Sequence, residues 1–166
     1  MRQERERLTG LYNKEKAMEL IQDYLGSSQE ECVAIVMDID NFQKVNNLFG
    51  VERGDDVLKD TARVLQEFFM EDDIISRING DQFIIFAKNC KDDENLNIRL
   101  HELCTTMEQE ITDGTKSCRI SASIGVAVTE TAGRNRDVLF QAASEAMDDA
   151  KKNGKGAVNF YRAKNN

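Results

Sequence analysis

The chain has 166 residues, which is enough for one domain with a substantial core, and its 40% apolar and 31% charged residues are typical of a soluble globular protein. The formal net charge of −8 argues against a nucleic-acid partner, because neutralisation of phosphates by basic residues dominates that kind of binding. No apolar run is as long as a membrane span, and the first residues lack the apolar core of a signal peptide. We therefore expect a cytoplasmic protein without direct membrane insertion.

Cysteine and histidine are scarce, which limits the chemistry available to the chain. Cys32, Cys90, Cys104 and Cys118 form no Cys-x-x-Cys pair, so a zinc site or thiol redox chemistry is not indicated and reduced, half-buried side chains are expected. His101 is the only histidine and lies among polar residues of a predicted helix. Catalysis by a histidine base is therefore not expected.

The first third of the chain contains a helix and a buried strand. Residues 1–7 are almost all charged or polar, and we expect them to connect upstream sequence to a single domain over 8–166. Apolar residues at helical spacing predict a helix over 13–25, with Asn13 as its N-cap. The continuous apolar run 32–37 is typical of a central strand that is buried on both faces.

Two helices are predicted next, followed by a hairpin. The first helix spans 42–49 and is closed by Gly50, and the second, longer helix begins at Gly54 or Asp55. An Asn-Gly pair between two apolar runs then predicts a hairpin over 73–88 with a type I′ turn, in which both central residues have positive φ.

The last part of the chain alternates helices and strands. The predicted elements are a helix over 96–111, a strand over 118–128, a helix over 138–152 and a short strand over 157–161. The whole order, αβααββαβαβ, predicts an α/β fold of the α+β sandwich type, in which helices cover an antiparallel or mixed central sheet.

Three acidic residues lie at the ends of predicted strands. Asp38 and Asp40 end the first strand, and Asp81 lies at the tip of the hairpin. If strand and hairpin are neighbours, Asp38 and Asp81 converge, and two carboxylates without a histidine suit a hard cation such as Mg²⁺. Two alternatives stay open on the pattern alone: N-capping of the helix 42–49 by Asp38 or especially Asp40, and Asp81 as an acid tolerated in a turn.

Five segments together resemble the motifs of a known family. The stretch RINGDQF (77–83) resembles a degenerate form, Asn-Gly-Asp-Gln-Phe, of the signature of the GGDEF family of diguanylate cyclases. LTGLYNK (8–14), MDIDNFQKVNNLFGVERGDDVL (37–58), ISASIGVAV (120–128) and ASEAMDDAKKNGKGAV (143–158) resemble further family motifs in the same order. The resemblance spans essentially the whole chain and implies a central sheet like that of nucleotide cyclases and polymerase palm domains, with an active-site hairpin.

The resemblance also implies site residues by motif position. Asp38, Asp81 and the backbone carbonyl of Ile39 would bind Mg²⁺ or Mn²⁺, and Asp81 would activate the 3′-hydroxyl of GTP. Asn46 and Asp55 would read guanine, which suits their chemistry because a carboxylate accepts from guanine N1–H and N2–H₂ whereas adenine offers no such pair of donors.

Phosphate contacts are implied as well. The remaining substrate-binding positions implied by the motifs are Lys151, Lys155 and Gly80. Ordinary structural roles stay open for all of these residues. Asn46 could be a surface asparagine and Asp55 an N-cap, and the lysines could be favoured at the C-terminus of a helix by its dipole.

Four departures from the family pattern bear on activity. Asn79 replaces a glycine of the signature, Gln82 replaces its glutamate, and Gln43 replaces a lysine that acts on the transferring phosphate. Loss of such a preorganised donor costs roughly 2.7–4 kcal/mol in the transition state. Glu6 replaces an aspartate, which is a mild change. The family's product-inhibition motif is also incomplete, because Met70 stands where the arginine is expected and only Asp73 is kept.

Three functions follow from this resemblance. The family joins two GTP molecules into cyclic di-GMP and releases two pyrophosphates, with two domains facing each other as a transient homodimer. The changed residues indicate a domain that binds GTP with weak or lost turnover. The alternatives are an inactive GTP-binding regulatory domain of a larger protein, with an upstream sensor and a downstream phosphodiesterase domain, and a structural dimerisation module.

Overall fold

The computed structural model of the chain describes residues 3–162. Residues 1–2 of the predicted connecting segment and residues 163–166 of the predicted domain lie outside the described residues. Its elements are α1 (Lys14–Ser27), β1 (Val33–Asp40), α2 (Phe42–Phe49), α3 (Val51–Phe68), β2 (Ile74–Asn79), β3 (Gln82–Ala87), α4 (Glu94–Met107), β4 (Gln109–Thr112), β5 (Ser117–Val128), α5 (Thr129–Ala132), α6 (Arg136–Lys152) and β6 (Val158–Phe160). No helix among them is both long and apolar enough to cross a membrane.

Strand β1 is the centre of the sheet. The strands lie in the order β2-β3-β1-β5-β4, and β6 is added beside β5. β1 pairs antiparallel with β3 and with β5, whereas β6 runs parallel to β5. All 8 residues of β1 are buried. The predicted α+β sandwich, with helices over a mixed sheet, is therefore confirmed.

Alternate residues of β1 face two different layers of helices, because successive side chains of a strand point to opposite faces. Ile35 belongs to the core cluster formed with α2, α3 and α4, and Val36 belongs to the cluster formed with α1 and α6. Asp38 and Asp40 continue the series of Val36 at the end of the strand. Both carboxylates therefore lie on the α6 side of the sheet.

Helix α6 lies directly against β5 at Gly125. A Cβ atom at Gly125 would be 2.0 Å from the carbonyl oxygen of Ala143 and 2.3 Å from the backbone nitrogen of Met147. No side chain fits between strand and helix at this point. The contact fixes α6, whose last turn carries Lys151, against the strand next to β1.

Local signals place the first helices well, but one helix start is wrong. The side chain of Asn13 accepts a hydrogen bond of 2.8 Å from the Lys16 N–H, which confirms it as the N-cap of α1. α2 has the predicted bounds and ends at Gly50, whose φ is 92°. α3 begins at Val51 rather than at 54 or 55, because Gly50 serves as the C-cap of one helix and the N-cap of the next.

The helix predicted over 96–111 is too long at its end. α4 ends at Met107, and Gln109–Thr112 forms the edge strand β4 beside β5. Ile111 fits the helical spacing, but it is buried as a strand residue. The short helix α5 was also not predicted, since 4 residues are too few to show a period.

The histidine lies on the surface as expected, and the cysteines are more buried than expected. All four cysteines are free, with Cys32, Cys104 and Cys118 buried and Cys90 partly buried. Burial raises the pKa of the Cys104 thiol to about 11. His101 is exposed on α4.

Candidate active site

The hairpin tip differs in detail from the prediction. The register of β2 and β3 shifts between Arg77 and Asn79, so that Asn79 pairs with Gln82. The turn is therefore centred on Gly80 and Asp81, and Gly80 has a positive φ of 35° whereas Asn79 does not. The predicted type I′ turn with positive φ at Asn79 and Gly80 is wrong, because this bulge moves the turn by one residue.

The hairpin tip lies beside the end of β1. Asp38 is opposite Gln82 in the register, and the Ile39 N–H donates a hydrogen bond of 3.2 Å to the carbonyl oxygen of Asp81. Asp38 therefore lies in the strand beside the hairpin whose turn contains Asp81, as expected. Burial raises the pKa of the Asp81 carboxyl, and the negative charges of Asp38 and Asp40 act in the same direction.

Asp38 is paired on one oxygen and unpaired on the other. Its Oδ2 forms an ion pair and a hydrogen bond with the Lys151 ammonium, whereas its Oδ1 is buried and has no hydrogen-bond partner among the described residues. Burial alone would lower the pKa of Lys151, but the hydrogen bond and charge of Asp38, with the charges of Asp81 and Asp40, raise it overall.

Asp40 has a different, structural role. Its carboxylate accepts hydrogen bonds from Ser121 Oγ at 2.6 Å, from Ser123 Oγ at 2.8 Å and from the Gly156 N–H at 3.0 Å. The open alternative that Asp40 caps α2 is wrong, because Asn41 takes the N-cap position and makes no side-chain cap bond. Asp40 instead joins the end of β1 to β5 and to the loop that follows α6.

The residues at this point offer oxygen donors to a divalent cation. An unpartnered buried carboxylate oxygen on Asp38, the neighbouring Asp81 and the Ile39 carbonyl are the hard oxygen donors that Mg²⁺ prefers. No group of three or more His, Cys, Asp or Glu side chains within residues 3–162 is arranged to hold a metal ion. Mg²⁺ commonly uses one or two carboxylates and takes its remaining ligands from substrate phosphates and water, and this donor set suits that arrangement.

The two residues implied in guanine recognition lie on α2 and α3. The Asn46 side chain lies over Gly54, where a Cβ atom would be only 1.8 Å from Asn46 Oδ1. That oxygen is buried and has no hydrogen-bond partner among the described residues. Asp55 follows Gly54 inside α3, so the alternative that it is an N-cap is wrong, and its partly buried carboxylate is not paired with any residue of 3–162.

The other implied substrate residues are more exposed. Gly80 lies at the tip, where an added Cβ atom would meet open space. Lys155 is exposed with a φ of 64°, and its ammonium has no partner in the described part of the chain, in contrast to Lys151. Among the departures, Gln43 is exposed and donates to Asn47 Oδ1 at 3.2 Å, and Gln82 lies opposite Asp38.

A link between the N-terminal segment and the hairpin tip was not predicted. The Arg77 guanidinium forms an ion pair of 2.5 Å with Glu6 and donates from Nε to the Gly80 carbonyl oxygen at 2.7 Å. The other oxygen of Glu6 accepts from the N–H groups of Leu8 and Thr9. Sequence spacing hides this pair because its members are 71 residues apart.

Asp73, the retained acid of the product-inhibition motif, is engaged with the backbone. Its Oδ2 accepts from the Met70 N–H at 2.9 Å, and its Oδ1 accepts from the Lys88 N–H at 3.0 Å. Burial raises the pKa of this carboxyl. Met70 is 68% exposed and offers no positive charge. The carboxylate therefore holds the start of the hairpin together.

Comparisons with known proteins agree with this geometry. The family model described as diguanylate cyclase, GGDEF domain, matches residues 4–157. The chain is 28% identical over 150 residues to the cyclic di-GMP phosphodiesterase PdeR of Escherichia coli K12, covering 90% of this chain and 22% of PdeR. It is 26% identical over 159 residues to the probable diguanylate cyclase DgcT of the same organism, covering 93% of this chain and 35% of DgcT.

A solved structure extends the likeness to three dimensions. A sensory box/GGDEF family protein from Caulobacter crescentus matches with a TM-score of 0.78 and 27% identity, over 92% of this chain and 100% of that one. The chain spans only 22% of PdeR and 35% of DgcT, so those relatives are much longer. The family match over most of the chain, the shared fold and the ordered motifs lead to one assignment: this chain belongs to the GGDEF-domain family of diguanylate cyclases.

Proposed function

We propose that this domain binds GTP together with Mg²⁺ or Mn²⁺, within cyclic di-GMP signalling, and that its turnover to cyclic di-GMP is weak or lost. One observation carries the proposal. Three buried side-chain oxygens lack hydrogen-bond partners among the described residues, and two of them, Asp38 Oδ1 and Asn46 Oδ1, lie at the motif positions implied in metal binding and guanine recognition. Buried polar atoms are rarely left unpaired, so each such atom calls for an explanation, and a bound ligand supplies one.

The pair Asn46 and Asp55 supports guanine over adenine. The free carboxylate of Asp55 offers two acceptor oxygens to the N1–H and N2–H₂ donors of guanine, and adenine has no equivalent pair. Gly54 also supports guanine recognition by this pair, since only a residue without a Cβ leaves room for the Asn46 amide above α3.

The cation would be held by Asp38, Asp81 and the Ile39 carbonyl. When bound, it would neutralise charge on the GTP phosphates and orient them. Asp81 is the residue that we propose to accept the proton of the 3′-hydroxyl, and burial that raises its pKa makes its carboxylate a better proton acceptor. Lys151, and Lys155 from the exposed loop, would pair with phosphate oxygens.

Weak turnover is inferred from three side chains. Gln43 brings no positive charge to the transferring phosphate and is already hydrogen-bonded to Asn47. Gln82 removes a negative charge from the strand position opposite Asp38. Asn79 adds a side chain at the hairpin. These changes affect groups that act on the transition state more than groups that bind the nucleotide, so we expect binding to be better preserved than rate.

The second candidate is a GTP-binding regulatory domain in a longer protein. It is favoured by the name of one relative, the cyclic di-GMP phosphodiesterase PdeR, of which the matched segment is only 22%. Residues 1–7 would then connect an upstream sensor domain to the domain over 8–166, and a phosphodiesterase domain would follow. A transient homodimer through facing active sites belongs to the cyclase proposal alone.

The first test is binding. Calorimetry with GTP and with ATP, each with Mg²⁺, should give binding for GTP only. Asp55→Ala should weaken GTP binding about tenfold or more, because hydrogen bonds to a charged acceptor are worth roughly 1.5–3 kcal/mol each. Asp56→Ala, which removes the same charge from the next, exposed position of α3, is the matched control and should bind as the parent does.

The second test is turnover. The purified chain at high concentration is incubated with GTP and Mg²⁺ or Mn²⁺ and assayed by chromatography for cyclic di-GMP, with Asp81→Ala as the blank. Product that is absent from the blank would mark an active cyclase and overturn the expectation of lost turnover. No product with intact GTP binding would favour the regulatory domain. Neither product nor binding would leave the structural dimerisation module.

A further inference from the structure

We propose that the Lys151 ammonium occupies the cation position of the nucleotide-free domain and has to leave Asp38 before a divalent cation binds there. This inference rests on the proposed function and adds a form of regulation to it. Metal alone would bind poorly, and nucleotide phosphates would open the site by drawing the lysine away.

The ion pair is the first observation that carries the inference. Lys151 Nζ contacts Asp38 Oδ2, and Asp38 as a whole residue is only 9% exposed. The other carboxylate oxygen, Oδ1, is buried without a partner among the described residues. A buried carboxylate in this state needs a positive charge, and the ammonium meets the need on one side only.

Neighbouring acids are the second observation. Asp81 lies on the adjoining hairpin tip, and Asp40 lies two residues from Asp38 on the same face of β1. The charges of all three carboxylates act on Lys151. Removal of the ammonium without a replacement would therefore leave like charges close together, which is unfavourable. A divalent cation is the replacement with the right charge and the right preference for oxygen.

The position of Lys151 makes the exchange feasible. The residue lies in the last turn of α6, and its side chain is 35% exposed on a flexible stem of four carbons. A triphosphate would offer it more negative charge than one carboxylate does. Asp38 would then be released to the cation. The exchange couples metal binding to nucleotide binding, and by linkage the coupling is reciprocal.

The test is Mn²⁺ binding to the protein without nucleotide, followed by the electron paramagnetic resonance signal of free Mn²⁺. Lys151→Met should bind Mn²⁺ about tenfold or more tightly than the parent, because a charge-assisted hydrogen bond no longer competes for Asp38. Lys152→Met is the matched control. It removes the same charge from the next residue, which is exposed. Any increase in its Mn²⁺ affinity measures the general effect of the net charge.

Further variants make the result specific. Lys151→Gln should behave as Lys151→Met does, and adding Asp38→Asn to Lys151→Met should abolish the gain. Equal Mn²⁺ affinity in the Lys151 and Lys152 variants, or no detectable binding in either, overturns the inference. GTP binding by the parent chain is measured separately. If GTP fails to bind while the Asp38-dependent gain is present, the proposed function and the nucleotide-driven release of the lysine fall, and only the occupation of the cation position by Lys151 stands.

Discussion

Replacement of Asp40 by alanine should lower the free energy of unfolding by about 3–4 kcal/mol. Asp40 is only 3% exposed, and its carboxylate accepts from Ser121, Ser123 and Gly156 at 2.6–3.0 Å. Hydrogen bonds to a charged group contribute roughly 1.5–3 kcal/mol each, and a buried donor left unpaired costs roughly 1–3 kcal/mol. Such terms are not additive within one network, so we expect a total below their sum.

Asp38→Ala is the matched comparison. It removes the same charge from the same face of β1, two residues away. Asp38 makes one ion pair, with a partly exposed lysine, and keeps one oxygen buried without a partner. Removal of a poorly compensated buried charge relieves its desolvation, so we expect the free energy of unfolding to stay within about 1 kcal/mol of the parent value or to rise.

Urea denaturation at neutral pH, followed by circular dichroism, measures both variants. A lower midpoint with an unchanged slope reports a loss of stability rather than a change in the denatured state. Equal losses in the two variants, or a loss below about 1 kcal/mol for Asp40→Ala, would refute the division between a structural and a ligand-binding aspartate.

Three further predictions concern other parts of the domain. Glu6→Gln should lower the free energy of unfolding by about 1–2 kcal/mol above pH 4.5, the usual pKa of this carboxyl. Burial would raise the pKa of Glu6, but hydrogen bonds from Arg77 and the backbone lower it overall. The difference in stability between the two proteins should therefore vanish as the pH falls through the lowered pKa, measured by denaturation at a series of pH values. Gly125→Ala should cost at least about 3 kcal/mol or prevent folding, seen in thermal unfolding, because its Cβ atom would lie 2.0 Å from a backbone oxygen of α6. Calorimetry with cyclic di-GMP should show no tight binding at Asp73, whose oxygens already accept from Met70 and Lys88, and a low micromolar dissociation constant abolished by Asp73→Ala would contradict this.

Features set by neighbouring residues were predictable from the sequence. The bounds of α2 follow from its amphipathic spacing and from Gly50, and the cap of α1 follows from Asn13. The continuous apolar run 32–37 was also enough to predict that β1 is a strand buried on both faces. The resemblance supplied the candidate residues, and the structure brings Asp38, Asp81 and Lys151 together.

Features set by pairing across the sheet were not predictable. The turn type depends on a register shift in β2, which local propensity does not encode. β4 is only 4 residues long, too short for an alternation to be told from a helical spacing. The partners of Asp40 lie 81 and 83 residues away along the chain, so a capping role was equally open until the strands were aligned.

The contact of α6 with β5 at Gly125 has a consequence for the timing of events at the site. The backbones touch at Ala143 and Met147, so the helix is packed directly against the strand one turn before Lys151. In the proposed exchange, the Lys151 ammonium would therefore leave Asp38 by rotation about its own side-chain bonds. Rotamer changes of exposed side chains take picoseconds to nanoseconds, so rotation itself would not limit the rate of the exchange once the ion pair is broken.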